Sequence, residues 1–220
     1  MEPPAESEAA GAPVARGAEA KIARVEWLGL EALRKDRDAK SYRPRALDDR
    51  LRRERTRNEA RLLAEARRLG VRTPLVYDID LRQHRLILEE LPGPTLKELL
   101  GAAGPEAPAL ARALLSFGRA LGRLHAGGIS HGDLTSSNVI FPEGPGGPAA
   151  LLDLSMGERS AGLEEKGIDL HLVEEDLLGL HPRGAELLED FREGYAEGNP
   201  EGAREVRARA DAIKGRMRYV

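Results

Sequence analysis

The 220-residue chain has no cysteine, which excludes disulfides and thiolate metal sites and fits a reducing cytoplasm. No apolar run approaches the ~20 residues of a membrane-spanning helix. The stretch Met1 to Pro13 is acidic and Pro/Ala-rich. Lacking the basic start and apolar centre of a secretion signal, it is expected to be a disordered tail. Asparagine occurs three times and glutamine once, against abundant Arg and Glu, a bias that suits a thermophile or a GC-rich genome. There is no internal repeat. What is present is 41% hydrophobic and 32% charged, the balance of a globular chain long enough for one large domain or two small lobes.

The net charge of −3 is unevenly spread. Lys35 to Arg68 holds 13 Lys/Arg against 7 Asp/Glu, and Arg204 to Val220 holds six against two. One such run is usually a solvated helix face, whereas two on an otherwise acidic chain point to an anionic partner such as RNA.

The most informative stretch is His131-Gly132-Asp133-Leu134-Thr135-Ser136-Ser137-Asn138, followed by Leu151-Leu152-Asp153. Phosphoryl transfer needs a carboxylate to accept or orient the proton of the attacking hydroxyl or water. It also needs an amide oxygen and a second carboxylate to hold magnesium on the phosphates. Protein kinases write these as H-R-D-x-x-x-x-N and D-F-G. Asp133 and Asn138 keep the first spacing, and Asp153 ends an apolar run as the second requires. Either half alone is a chance pattern, and the two in order are not. His131 has no second histidine at metal-ligand spacing, so it reads as a residue that shapes the loop by packing and hydrogen bonding.

The rest of the chain orders itself around that motif. Ala20 to Leu33 predicts strands about a turn at Gly29, and Arg50 to Leu69 a long amphipathic helix stopped by Gly70. Leu75 to Tyr77 and Arg85 to Leu88 predict a strand pair. Pro92-Gly93-Pro94 marks the lobe boundary, Thr95 caps a short helix to Leu100, and Pro108 to His125 is a strong helix. From Leu163 onward the chain reads as helical. The result is an α+β, minimal two-lobed protein-kinase-like fold: a tail over 1–13, an N-lobe over 14–91, a C-lobe over 92–202 and a basic tail over 203–220. In that frame Lys35 is the strand lysine for the ATP phosphates and Glu59, on the long helix, its partner. Gly17-Ala18-Glu19-Ala20 is the phosphate-covering turn, with one glycine where typical kinases have three. Glu89 and Leu91 lie where a hinge would meet adenine, an assignment from order alone.

HGDLTSSN at His131, KDRDAKSYR at Lys35 and ERTRNEARLL at Glu54 resemble the small atypical kinase-ATPase of the KEOPS complex, the PRPK/Bud family. GAEA at Gly17, ILEELPGPTLKELL at Ile87, LHP at Leu180, FREGY at Phe191 and the terminal GRMRYV extend the match over nearly the whole chain. The resemblance implies a two-lobe kinase fold without an extended activation segment. It implies use of ATP and Mg2+ and a role in making threonylcarbamoyladenosine on tRNA. It also implies docking on the threonylcarbamoyl-transferase subunit and a small helper subunit. ATP hydrolysis is its main attributed activity, with Ser/Thr autophosphorylation beside it. By position Asp133 becomes the catalytic base, Lys35 the phosphate lysine, Glu59 its partner, and Asn138 and Asp153 the magnesium ligands. One departure is Asp153-Leu154-Ser155 in place of D-F-G, where Ser155 replaces a glycine that would tolerate positive φ.

Two other readings share parts of this pattern. A small-molecule phosphotransferase of the aminoglycoside or choline kinase type also uses H-G-D-x-x-x-x-N, but usually has a larger C-terminal lobe than the 67 residues after Asp153. A pseudokinase scaffold binding tRNA predicts loss of a metal ligand or of the lysine, and all are in place.

Overall fold

The computed structural model describes residues 13–16, 20–101 and 107–217. Two compact units emerge: one takes the chain through Arg61 together with Pro74–Glu90, the other Leu62–Thr73 together with the chain from Leu91. The expected tail up to residue 12 lies outside the described residues, and Pro13 already begins a strand.

The first unit is an antiparallel five-stranded sheet in the order β1 (Pro13–Arg16), β2 (Lys21–Trp27), β3 (Leu30–Asp36), β5 (Arg85–Glu89), β4 (Val76–Asp80). The β2–β3 turn places both Leu28 (φ 52°) and Gly29 (φ 80°) in the left-handed region, the mirror-image turn that matches the twist of a tight hairpin. Along β3 Ala32 and Lys35 are both buried, on opposite faces of the sheet, and Arg37 just past its end follows Lys35 at the two-residue period of a strand.

Helix α1 (Arg45–Arg68) begins five residues before the predicted start. Buried Asp48 in its first turn accepts from the Lys40 amide at 3.3 Å and from Arg52 Nε at 2.7 Å, tying the β3–α1 loop to the helix. Burial would raise the Asp48 carboxyl, but Arg52, the Lys40 amide and Arg43 outweigh it and hold it below its ordinary value.

The division between units falls between Glu90 and Leu91 rather than at Pro92-Gly93-Pro94, and the expected N-lobe gives up Leu62–Thr73. The physical reason is burial and pairing. Leu62, Leu63, Ala66 and Val71 are core residues, and the Arg72 carbonyl accepts from the Leu151 amide at 2.9 Å.

In the second unit, Thr95 caps α2 (Leu96–Leu100) through a reciprocal box with Glu98. Helix α3 (Ala107–Ala126) lies backbone to backbone on α5 (Gly184–Gly198). A Cβ on Gly118 would sit 2.1 Å from the Phe191 carbonyl, and one on Gly194 2.0 Å from that of Leu115, so only glycine permits this approach. Phe117 and Phe191 stack beside it with ring centroids 5.0 Å apart. A two-stranded ribbon, β6 (Val139–Ile140) and β7 (Ala150–Leu151), carries the motif loops at its ends. Helix α4 (Leu163–Leu180) packs against α6 (Ala203–Met217), whose Val206, Ala210 and Ile213 are buried. The segment expected as a basic tail is therefore a docked helix up to Met217. Among the described residues no helix is long and apolar enough to cross a membrane.

Candidate nucleotide site

Lys35 and Glu59 meet inside the first unit. The ammonium donates to Glu59 Oε1 at 2.7 Å, with both side chains buried. A buried pair of this kind contributes little net stability, but losing one partner strands a charge at a cost of about 3–5 kcal/mol. Glu59 Oε2 is also taken, by the buried guanidinium of Arg37. Of the expected phosphate-covering turn, Gly17, Ala18 and Glu19 lie outside the described residues, and Ala20 is buried just before β2. The Glu89 amide donates to the Leu75 carbonyl at 2.8 Å, and its carboxylate accepts from the Leu75 amide at 2.9 Å. That N–H is therefore spent within the sheet. Leu91 packs in the second unit with Ile140 and Ala150.

In the second unit the chain leaves α3 through Gly127-Gly128 and enters the His131 loop. Asp169 of α4 fixes this loop from below. Its carboxylate accepts from the His131 amide at 2.6 Å, the Gly132 amide at 2.8 Å and His125 Nε2 at 3.1 Å. Nδ1 of His125 pairs with the Tyr195 hydroxyl at 2.8 Å. Asp169, His125 and Tyr195 are all buried. Burial pushes His125 below its ordinary value, ahead of the opposing pull of Asp169. Burial alone would raise Asp169, but the hydrogen bonds from His125 and the His131 amide outweigh it and hold the carboxyl down. One α4 turn pair further on, Asp176 accepts from the Ser136 amide at 2.6 Å.

His131 joins the two motif loops, as the loop-shaping reading anticipated. Its Nε2 lies 2.8 Å from the Leu152 carbonyl and its Nδ1 accepts from the Asp133 amide at 3.4 Å. With Nε2 assigned as the donor, one tautomer satisfies both bonds. Asn138 closes a 3-10 turn (Ser136–Asn138) and donates Nδ2 to the Asp133 carbonyl at 2.8 Å, while its own carbonyl accepts from the Leu152 amide at 2.9 Å. With Nδ2 engaged there, Oδ1 is the atom left for a cation. Asp133 is exposed at the loop surface, and Asp153 follows Leu152 directly.

Asp153, not Ser155, takes the left-handed conformation, with φ 53°. Aspartate tolerates this region better than most residues, so the serine in the glycine position carries no backbone strain. Leu154 is fully buried, filling the aromatic's place. The chain then turns at once over the His131 loop. Gly132 has φ 82°, and a Cβ there would sit 2.2 Å from the Met156 carbonyl, which explains glycine where typical kinases carry arginine. The Ser130 amide donates to the Glu158 carbonyl at 3.0 Å, and α4 starts at Leu163. Only Leu154 to Gly162 separates Asp153 from the next helix.

The Asn138 amide oxygen and the Asp153 carboxylate are hard oxygen donors of the kind that suits Mg2+, which keeps several ligands for water and phosphate. Among the described residues no cluster of three or more His, Cys, Asp or Glu could hold a metal by itself. Asp169, Asp176, His125, Tyr195 and Arg37 escaped the sequence reading. The only signal was Asp169 and Asp176 at i, i+7, acids on one stripe of a helix whose Leu170, Val173 and Leu177 are core.

A small antiparallel sheet with a Lys–Glu pair, and a helical unit carrying the aspartate–asparagine loop and a following aspartate, define the kinase-like fold class. The Rio2 kinase of Chaetomium thermophilum, solved with ADP, Mg2+ and phosphoaspartate, has the same fold. The TM-score is 0.62 at 13% identity, covering 96% of this chain and 71% of that one. No family model matches. The KEOPS complex subunit Bud32 of Pyrococcus abyssi is 36% identical over 215 residues, covering 94% of this chain and 95% of that protein. The chain belongs to the family of that KEOPS subunit. A probable bifunctional tRNA threonylcarbamoyladenosine biosynthesis protein of Methanoculleus marisnigri is 42% identical over 207 residues. The chain spans 36% of that relative, and about a third of the other bifunctional proteins it matches.

Proposed function

We propose that the chain is a Mg-ATP-dependent atypical kinase and ATPase that works, in the cytoplasm, within a KEOPS-type assembly making threonylcarbamoyladenosine on tRNA. The observation that carries this reading is the Asn138–Asp133 hydrogen bond together with the His131–Leu152 link. Two loops tied together in this way support reading Asp133 as a base and Asn138 and Asp153 as cation ligands. Asp133 accepts the proton of the attacking oxygen. Lys35 carries the α/β-phosphate charge, and Glu59 holds Lys35 in line. Asn138 Oδ1 and Asp153 would hold magnesium, which when bound neutralises the phosphate oxygens. Gly17 to Ala20 would cover the phosphates, and the chain at Glu89 and Leu91 would border adenine.

The short Leu154–Gly162 connection supports water, or a hydroxyl of this chain, as the acceptor, because it offers no platform for a peptide. The name of the Pyrococcus abyssi relative supports membership of a KEOPS complex, and the sequence resemblance adds a threonylcarbamoyl-transferase subunit and a small helper subunit as the partners. For tRNA the support is a stripe on α1. Arg50, Arg53, Arg57 and Arg61 are all exposed at spacings of three and four, a row about 16 Å long. Like charges at i, i+4 weaken a helix, so such a row is better explained by phosphate neutralisation than by stability.

The test is ATP hydrolysis with Mg2+, with and without the transferase partner and tRNA, for the wild type, Asp133→Ala and Arg53→Glu/Arg57→Glu. Turnover should fall at least a hundredfold in Asp133→Ala, and the double reversal should keep basal turnover but lose stimulation by tRNA. Equal low turnover in the wild type and Asp133→Ala, with tRNA still bound, would make the chain a scaffold instead.

A further inference from the structure

We propose that Arg37 is a positioning residue that keeps Glu59, and with it helix α1, fixed while Lys35 serves the nucleotide; this rests on Lys35 being the phosphate lysine. Arg37 is buried one alternation beyond Lys35 and donates Nη2 to Glu59 Oε2, while Lys35 Nζ holds Oε1 at 2.7 Å. Its backbone is anchored on both sides. The Arg37 amide donates to the His84 carbonyl at 3.1 Å, and its carbonyl accepts from Arg52 Nη1 at 3.4 Å. Arg52 in turn grips Asp48 at 2.7 Å, in the first turn of the same helix.

The consequence follows from the cost of a buried charge. A glutamate with a single lysine partner is left uncompensated as soon as the ammonium turns to a phosphate. With a guanidinium on its second oxygen, Glu59 keeps a cation wherever the lysine points, and α1 has no reason to shift. Protein kinases set the glutamate helix through a long, often phosphorylated activation segment. Only nine residues, Leu154 to Gly162, stand in that place here. Fixed charge in the β3–α1 loop takes over the task, so the lysine–glutamate pair is assembled without a switch.

The experiment compares the complete wild-type chain with Arg37→Met and Arg37→Lys, using Lys35→Ala as a control. Hydrogen exchange is read across α1 and α3 without nucleotide, and KM for Mg-ATP and kcat are measured in parallel. In Arg37→Met, exchange around Glu59 should rise about tenfold with α3 unchanged. KM should rise about tenfold with a smaller fall in kcat, the loss of one charge-assisted bond. Arg37→Lys should restore most of both. Unchanged α1 exchange and KM would overturn the proposal, and so would exchange rising equally in α3, which would make Arg37 merely structural. If the wild type hydrolyses no ATP, the proposed function fails while the exchange comparison still decides the role of Arg37.

Discussion

Replacing Asp169 by Asn tests whether the His131 loop is held by one buried carboxylate. The wild-type side chain is fully buried and accepts from two loop amides, at 2.6 and 2.8 Å, and from His125 at 3.1 Å. Asparagine offers one oxygen. Its NH2 would face a donor on the other side, leaving a buried N–H without an acceptor. Hydrogen bonds to charged groups contribute about 1.5–3 kcal/mol each, and an unsatisfied buried group costs about 1–3 kcal/mol. The expected loss is therefore about 3–5 kcal/mol, a large part of the roughly 5–15 kcal/mol that stabilises a typical domain. Urea unfolding followed by far-UV circular dichroism reads the helical second unit. The single tryptophan, Trp27 in β2, reads the first unit and serves as an internal control. Hydrogen exchange at the His131 and Gly132 amides should accelerate in the variant. A loss below about 1 kcal/mol with those two amides still protected would refute the anchor.

The same network predicts an acid response. Because burial lowers His125 in the folded state, the unfolded chain binds the proton more readily. Stability is then complete above about pH 6.5 and declines as pH falls below it, by up to about 1.4 kcal/mol per pH unit. The depressed Asp169 adds its own loss only further down, as pH falls through its folded value below about 3.9. Urea midpoints between pH 7 and 5 should show the first slope in the wild type, and His125→Gln should flatten it; an equal slope in both proteins would assign it elsewhere. Ser155→Gly, which restores the glycine of D-F-G, should lower stability by up to about 1 kcal/mol through a freer unfolded chain. It should leave Mg-ATP hydrolysis unchanged, since φ at 155 is not positive. A stabilised or more active Ser155→Gly would show strain at that serine after all.

These perturbations mark where the sequence was readable. The strands about Gly29, the Thr95 cap, the α3 helix and the Asp133–Asn138 spacing follow from local rules, namely turn chemistry, capping and period, and the structure has them. The Lys35–Glu59 pair was legible only through the downstream motif, because a lysine among thirteen basic residues carries no signal by itself. The assignment of Leu62–Thr73 to the second unit has a non-local cause. Leu62 to Thr73 reads as the end of one helix, yet its apolar residues and the Arg72 carbonyl belong to the unit that holds the β6–β7 ribbon.

The long-range restraints on the site lie in the same blind spot, since they come from residues far from it in sequence. Asp169 reaches the loop from 38 residues away, Asp176 from 40, and His131 reaches Leu152 across 21. Tyr195 meets His125 across 70, a meeting that depends on glycines letting α3 and α5 touch. Local pattern thus states which chemistry the loops carry, and long-range burial of a few polar groups states how rigidly they carry it. Only nine residues lie between Asp153 and α4, too few for a long segment there that orders and releases. The loops must be held by fixed carboxylates and the lysine–glutamate pair by a fixed guanidinium.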